Sequence, residues 1–212
     1  FPASMTSIGD YAFMNATSLS SVGYEGNNVT TINEGTYYNT SSLEAFNYPV
    51  SIKYVRTLAF AYASKLNNVV IPKNVVEIDE AAYLGTEGLT NITLPFIGQY
   101  RYITNNDDET TFGYIFGSSD NVINNAKFVK VTQNGNNYYL PKKLVSVIVT
   151  DDTKIKNYGF ENCQNITSIT LPEGYSGEEI KDFTIIGDYA FSNAKSLNNL
   201  IIPQTTTTIG AY

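Results

Sequence analysis

The sequence contains no histidine, no tryptophan and a single cysteine among its 212 residues. Without histidine the chain cannot form a Ser-His-Asp or Cys-His nucleophilic system, nor a metal site with histidine ligands. One cysteine can form neither an internal disulfide nor a structural zinc site built from cysteines. We therefore expect no metal ion and no cofactor.

Charged residues are also scarce, and basic residues are in deficit. Charged residues of both signs make up 16% of the chain, with 20 acidic against 13 basic side chains. Nucleic acid is not an expected partner, because binding to phosphates normally requires a basic stripe. No apolar run approaches the roughly 18 to 20 residues of a membrane span, so we expect no direct membrane insertion.

A six-residue segment recurs along the chain. Ile8–Phe13 has the sequence I-G-D-Y-A-F and returns unchanged as Ile186–Phe191, and looser copies begin at Ile32, Val55, Ile78 and Ile155. A Leu or Ile follows six residues after each aromatic, at Leu19, Leu43, Leu66, Leu89, Ile166 and Leu197. With a further anchor at Leu144, the intervals are 22 to 24 residues, apart from two of 55 and 31. A period in the low twenties lies in the leucine-rich-repeat range.

Each of these Leu or Ile residues, called here the anchor of its unit, begins an apolar pattern. Counted from the anchor as offset 0, the apolar residues lie at offsets 0, 3 and 5. The alternation between offsets 3 and 5 predicts a short strand with these side chains on one buried face. The upstream half of each unit predicts a turn plus about one helical turn, too short to be stable alone. The clearest copies of the strand pattern are Leu66-Val69-Ile71, Leu89-Ile92-Leu94, Leu144-Val147-Val149, Ile166-Ile169-Leu171 and Leu197-Leu200-Ile202.

These units resemble the BspA-type leucine-rich-repeat family. Its signature, roughly I-G-x-x-A-F-x-x-C-x-x-L-x-x-I-x-I-P, is matched almost throughout by Ile155 to Pro172, including Cys163. The resemblance covers about residues 5–95 and 140–212. It implies a curved solenoid of microbial surface and secreted proteins that is often associated with adhesion. Other copies carry Ala or Thr at the cysteine position, which indicates a small buried side chain and not a reactive thiol.

The predicted fold is a single repeat solenoid over residues 1–212, mainly β with short helical turns, with a parallel sheet along one face. We expect about seven units, interrupted at residues 96–139 by an aromatic-rich β insertion that follows no repeat. Both ends fall inside a repeat, so we expect the chain to be part of a longer array.

Residues at strand offsets 1, 2 and 4 should lie on the open face of the sheet. This face is almost uncharged and suits a neutral, hydrogen-bonding extracellular protein or glycan, although such residues also simply tolerate a solvated strand. The candidate binding residues at offsets 2 and 4 are Asn68, Val70, Asn91, Thr93, Ser146, Ile148, Ser168, Thr170, Asn199 and Ile201.

The insertion supplies further candidates. Tyr100, Tyr102 and Tyr114 have aromatic side chains that can stack on a sugar or anchor a protein interface. The alternative is that the aromatics form the core of the insertion itself. Two segments, 112–117 and 126–131, have the sequence pattern of short strands and predict a small β-subdomain packed on the solenoid.

No acidic cluster has the alternating spacing that a calcium loop requires. We expect solvated charge at Asp107-Asp108-Glu109, at Asp151-Asp152, and at Glu173, Glu178, Glu179 and Asp182. No acid lies at the inward strand offsets, and no serine-hydrolase motif occurs. We therefore expect a non-catalytic protein.

Two functions remain open at this stage. The first is an adhesion or binding module at the cell surface or outside the cell, and it depends mainly on the family resemblance. The alternative is a structural spacer or substrate-recruitment segment of a larger secreted enzyme.

Overall fold

The computed structural model describes residues 1–101, 111–118, 126–175 and 181–212. Short strands from successive units stack in parallel, which confirms a mainly β repeat solenoid. The largest sheet, called here the five-stranded sheet, has the spatial order Asn199–Ile201, Ser168–Thr170, Ser146–Val149, Asn91–Leu94 and Asn68–Val70.

The strands pair residue for residue at equal offsets. Val69 lies beside Ile92, Ile92 beside Val147, and Val147 beside Ile169. All four side chains are buried, as are the offset-0 anchors from Leu43 to Ile166. The buried face is therefore the predicted one. The last copy is less buried, with Leu197 and Leu200 half-buried and Ile202 exposed, because it lies at the outer edge of the sheet.

The first half of most units contributes a second set of strands that the sequence pattern did not reveal. They form two parallel three-stranded sheets, Thr31–Ile32 with Tyr54–Val55 and Glu77–Ile78, and Lys154–Ile155 with Ile185–Ile186 and Thr208–Ile209. A strand of two residues is too short to show alternation. The expected helical turn follows as consecutive hydrogen-bonded turns, such as Ala59 N–H to the Arg56 carbonyl at 3.1 Å.

These turns use left-handed backbone at two positions in each of the six units that carry a copy of the I-G-D-Y-A-F segment. The first lies three residues after the opening aliphatic, and the second lies four residues later. Asparagine occupies the second position in most units, since its short polar side chain tolerates this conformation. The asparagines also bond between units, with Asn39 donating to Asn15 at 2.9 Å.

Aromatic side chains form a stacked column inside the solenoid. Successive ring centroids lie 5.6 Å apart from Phe13 to Tyr37, 5.3 Å from Tyr37 to Phe60 and 5.5 Å from Phe60 to Tyr83, all nearly parallel. Offset stacking at this distance is favourable. The repeated aromatic therefore ties each unit to the next.

The insertion differs in part from its prediction. The strand predicted at 126–131 is confirmed as Phe128–Gln133, which pairs antiparallel with Asn136–Pro141. The strand predicted at 112–117 is wrong, because Phe112–Phe116 forms a 3₁₀ helix. Four of its five residues are buried, a pattern that alternating strand exposure cannot produce. A second short antiparallel pair, Gly174–Tyr175 with Lys181–Asp182, lies in the long interval of 31 residues between the anchors Ile166 and Leu197.

This 3₁₀ helix fills the place of a missing half unit. Tyr83 donates its backbone N–H to the Ile115 carbonyl at 2.9 Å, as Phe60 does to Ala82 at 2.8 Å. On the other side, Phe112 donates to the Gly159 carbonyl at 3.0 Å, and its ring lies 5.0 Å from that of Phe160. The unit whose anchor is Leu144 thus takes its first half from the insertion.

Cys163 confirms the small buried position. Its thiol is fully buried, and Gln133 of the insertion hairpin donates to Sγ at 3.2 Å. Burial raises the pKa of the thiol. Because the thiolate is the reactive form, this cysteine fills space and is not a nucleophile.

The expectation of solvated charge is wrong for Asp151 and Asp152, which are buried. Asp151 forms an ion pair with Arg101, and Asp152 accepts the backbone N–H of Thr153 at 2.7 Å. Glu173 and Asp182 are exposed as expected, and the segment 107–109 with Glu178 and Glu179 lies outside the described residues. The insertion explains the burial of Asp151, because its ion-pair partner Arg101 comes from the insertion.

Replacing Phe112 by Ala should lower the free energy of unfolding of the whole solenoid by about 3 to 4 kcal/mol, because a fully buried ring is lost between two units. Phe112→Leu keeps most of the volume and should cost about 1 kcal/mol. Chemical denaturation measures both values. Unchanged hydrogen-exchange protection at the Tyr83 and Phe160 amides in Phe112→Ala would contradict a shared core.

Asp152→Asn should remove a pH-dependent loss of stability. Burial raises the pKa of Asp152 from 3.8 to about 6, against the opposing effects of the Thr153 N–H and of Lys156. The protonated carboxyl is therefore favoured in the folded state, and stability present below pH 3.8 is lost as the pH rises through about 6.

The stability of Asp152→Asn relative to the parent should accordingly rise between pH 4 and pH 7, by at most about 3 kcal/mol. Urea denaturation at several pH values measures this difference. Asp182→Asn, at an exposed carboxylate, is the matched control and should show no such rise. A constant difference for Asp152→Asn would show that its carboxyl titrates alike in both states.

Candidate functional site

The ten candidate residues of the five-stranded sheet form two continuous rows. Parallel pairing at equal offsets places every member beside its counterpart in the next strand. The polar row is Asn68, Asn91, Ser146, Ser168 and Asn199, and the second row is Val70, Thr93, Ile148, Thr170 and Ile201. We call the two rows together the open face.

The open face presents aliphatic groups to solvent. Val70 is 52% exposed, Ile148 38% and Ile201 68%. The threonines Thr93 and Thr170 alternate with them, so the aliphatic groups occur on every second strand, about 10 Å apart. The row spans about 19 Å from its first strand to its fifth.

The polar row is partly hydrogen-bonded within the protein. Asn91 donates from Nδ2 to the Thr90 hydroxyl at 2.8 Å, and Asn199 donates to the Ser168 hydroxyl at 3.2 Å. Each amide carries two donor hydrogens and a carbonyl acceptor. These bonds orient the amides and leave further hydrogen-bonding capacity for a ligand.

The open face carries no charged side chain in either row. Glu44 lies one offset away, and Lys65 approaches its carboxylate at 4.0 Å. Both side chains are exposed, so this pair contributes little free energy. The face is electrically neutral and suits a ligand that is recognised by hydrogen bonds and apolar contact.

The insertion residues lie elsewhere. Tyr100 is 41% exposed and bridges Glu77, which belongs to a three-stranded sheet and not to the five-stranded one. Tyr114 is half-buried against the main core, and Tyr102 lies outside the described residues. The buried rings of Phe112, Phe116 and their neighbours belong to the shared core.

The sequence pattern did not reveal a hollow at the turns, named here the turn-side hollow. Its volume is about 330 Å³. The signal was present as departures from the repeat, since Leu58 and Tyr62 replace the usual Tyr and Asn at the two left-handed positions. The hollow is lined by Tyr38, Thr57, Leu58, Tyr62, Glu80, Ala81, Leu84 and Ser118.

Within residues 1–101, 111–118, 126–175 and 181–212, no three His, Cys, Asp or Glu side chains are grouped so that they could hold a metal ion. Over the same ranges, no helix is long and apolar enough to cross a membrane.

Solved structures with a similar fold are bacterial leucine-rich-repeat proteins. A leucine-rich-repeat protein from T. pallidum is 17% identical with a TM-score of 0.44, and the match covers 93% of this chain and 63% of that one. One from Eubacterium ventriosum is 21% identical with a TM-score of 0.46, covering 99% and 55%. A leucine-rich cell surface protein from Faecalibacterium prausnitzii is 15% identical with a TM-score of 0.40, covering 94% and 77%.

The chain thus spans less than two thirds of the length of the T. pallidum protein. No curated protein matches the sequence significantly. The family model for the BspA type leucine-rich-repeat region matches residues 1–106 and 123–212, in six copies. With the stacked strands and repeated turns described above, this match shows that the chain belongs to the BspA-type leucine-rich-repeat family.

Proposed function

We propose that this chain is a non-catalytic binding module of a microbial cell-surface or secreted protein, and that it engages an extracellular protein or glycan through the open face. The observation that carries the proposal is the second row, where exposed aliphatic groups alternate with threonine across five strands in register. The location follows from the surface and secreted proteins that the family resemblance implies.

The second row is suited to binding because it is stiff. All five of its side chains, Val70, Thr93, Ile148, Thr170 and Ile201, are β-branched, and such residues have few rotamers. Immobilising a flexible side chain at an interface costs about 0.5 to 1.5 kcal/mol. A row of stiff side chains on paired strands avoids most of this cost, so its apolar contacts contribute more of their free energy to affinity.

The polar row gives the face selectivity. A partner that covers it must replace the water on Asn68, Asn91 and Asn199, and an unmatched buried amide costs about 1 to 3 kcal/mol. Partners with correctly placed hydrogen-bonding groups are favoured over purely apolar ones. Extended peptide backbones and sugar hydroxyls both have such groups.

The proposal is tested by screening the purified chain against extracellular-matrix proteins and a glycan array. We expect saturable binding that depends weakly on salt, because the open face has no charge in its two rows. Failure to bind any of them, with a folded chain, would favour the alternative of a spacer or recruitment segment.

Ile148→Asp should weaken binding of the partner found in that screen by at least tenfold, since it places a charge in the centre of the row. The matched control is Ile185→Asp. Ile148 and Ile185 have similar exposure, 38% and 41%, and each lies in the middle strands of a parallel sheet, but Ile185 belongs to a three-stranded sheet.

Surface plasmon resonance measures both affinities, and circular dichroism checks that both variants fold. The control should bind like the parent protein. Equal losses in the two variants would show that binding does not depend on the open face.

A further inference from the structure

The turn-side hollow exists because a column of tyrosines is interrupted. At the first left-handed position, Tyr158, Tyr189 and Tyr212 stack in parallel with ring centroids 5.1 and 4.7 Å apart. Leu58 and Ala81 occupy the equivalent positions in two adjacent units. Their smaller side chains leave the space that the rings would fill, so the hollow has an aliphatic floor.

Tyr62, which forms one wall of the hollow, has an unfavourable backbone conformation. Tyr62 has φ of 60° at the second left-handed position, where other units have asparagine or glycine. A left-handed backbone costs an ordinary residue roughly 1 to 2 kcal/mol. Such strain persists only where the surrounding structure holds the residue in place.

Neighbouring residues are matched to this tyrosine. Its ring lies against Gly85, where an added side-chain carbon would come within 2.6 Å of a ring atom. The ring of Tyr38 meets it edge to face at 5.3 Å. Two half-buried tyrosines therefore line the hollow together with the aliphatic side chains of Leu58 and Leu84.

The charge of the hollow is negative. Among the lining residues that the structure describes, Glu80 is the one with a charge, and the Ser118 hydroxyl donates to its carboxylate at 3.1 Å. Arg56, which precedes the lining residue Thr57, is engaged by Glu77 at 2.9 Å and by Asp79 at 3.5 Å. No basic side chain is among the described residues that line the hollow.

We propose that the turn-side hollow binds a small organic cation of the quaternary ammonium class. Such a cation is attracted to the faces of aromatic rings within about 6 Å, and its alkyl groups favour an aliphatic floor. Glu80 supplies the opposite charge at the rim. A volume of about 330 Å³ is at the small end of ligand pockets, which suits a group the size of choline.

The site lies at the turns and not on the five-stranded sheet, so it is independent of the proposed function. Choline is the probe, and 3,3-dimethylbutan-1-ol is its neutral isostere with the same shape. Isothermal titration calorimetry on the full chain should show choline binding with a Kd of about 1 mM or below. The isostere should bind at least tenfold more weakly. Equal affinity for both, or no choline binding, overturns the proposal.

Three substitutions locate the site. Tyr62→Asn and Leu58→Tyr introduce the residues that other units carry at these positions, so both should fold, while one removes the wall and the other fills the hollow. Glu80→Gln removes the charge and keeps the shape. Each should weaken choline binding about tenfold or more, as measured by calorimetry.

The open-face variant Ile148→Asp is the control and should bind choline like the parent protein. Its failure to bind a surface partner tests the proposed function separately. Choline affinity unchanged in folded Tyr62→Asn and Leu58→Tyr would show that the cation binds elsewhere and would overturn the assignment.

Discussion

Each unit of this protein completes its hydrogen bonds and its core only through the units on either side. The strands are two to four residues long in the repeats, and none can be stable alone. Pairing at equal offsets satisfies their backbone groups and, in the same step, stacks Phe13, Tyr37, Phe60 and Tyr83 into one column. The register between units is thus the constraint on which the sheet, the core and both candidate surfaces depend.

The same constraint explains how an insertion of more than forty residues is accommodated. The chain leaves the repeat after the Asn91–Leu94 strand and rejoins it at Ser146–Val149, which pairs directly with that strand. Its 3₁₀ helix accepts backbone hydrogen bonds from the preceding unit and donates one to the following unit, as a regular half unit does. The stack of units is therefore not interrupted. The neighbouring units require hydrogen-bonding partners and a buried ring at this position, and a segment with a different sequence can supply both.

Much of the architecture was predictable because the pattern is repeated. One strand of three residues is ambiguous, but copies such as Leu66-Val69-Ile71 and Ile166-Ile169-Leu171 agree in offset and so define a buried face. The two-residue strands were missed because their extended conformation depends on hydrogen bonds to the neighbouring unit and not on a pattern in their own sequence. The burial of Asp151 was missed because Arg101, its partner, is fifty residues away in the sequence. The strand predicted at Phe112–Gly117 was wrong because a short apolar run fits a buried 3₁₀ turn as well as it fits a strand.

The two surfaces illustrate opposite uses of a repeat. The open face arises where units agree, since equal offsets place similar side chains in rows and any partner contacts several units at once. The turn-side hollow arises where units disagree, because Leu58 and Ala81 stand where other units stack tyrosines. Tyr62 stands where other units have asparagine or glycine. Units with matching residues produce an extended, shallow surface. Units with differing residues produce a small hollow with a charged residue of its own. In a solenoid of this kind, a strained departure such as Tyr62 is therefore more informative about specific recognition than the repeated residues are, because the repeat alone already explains their presence.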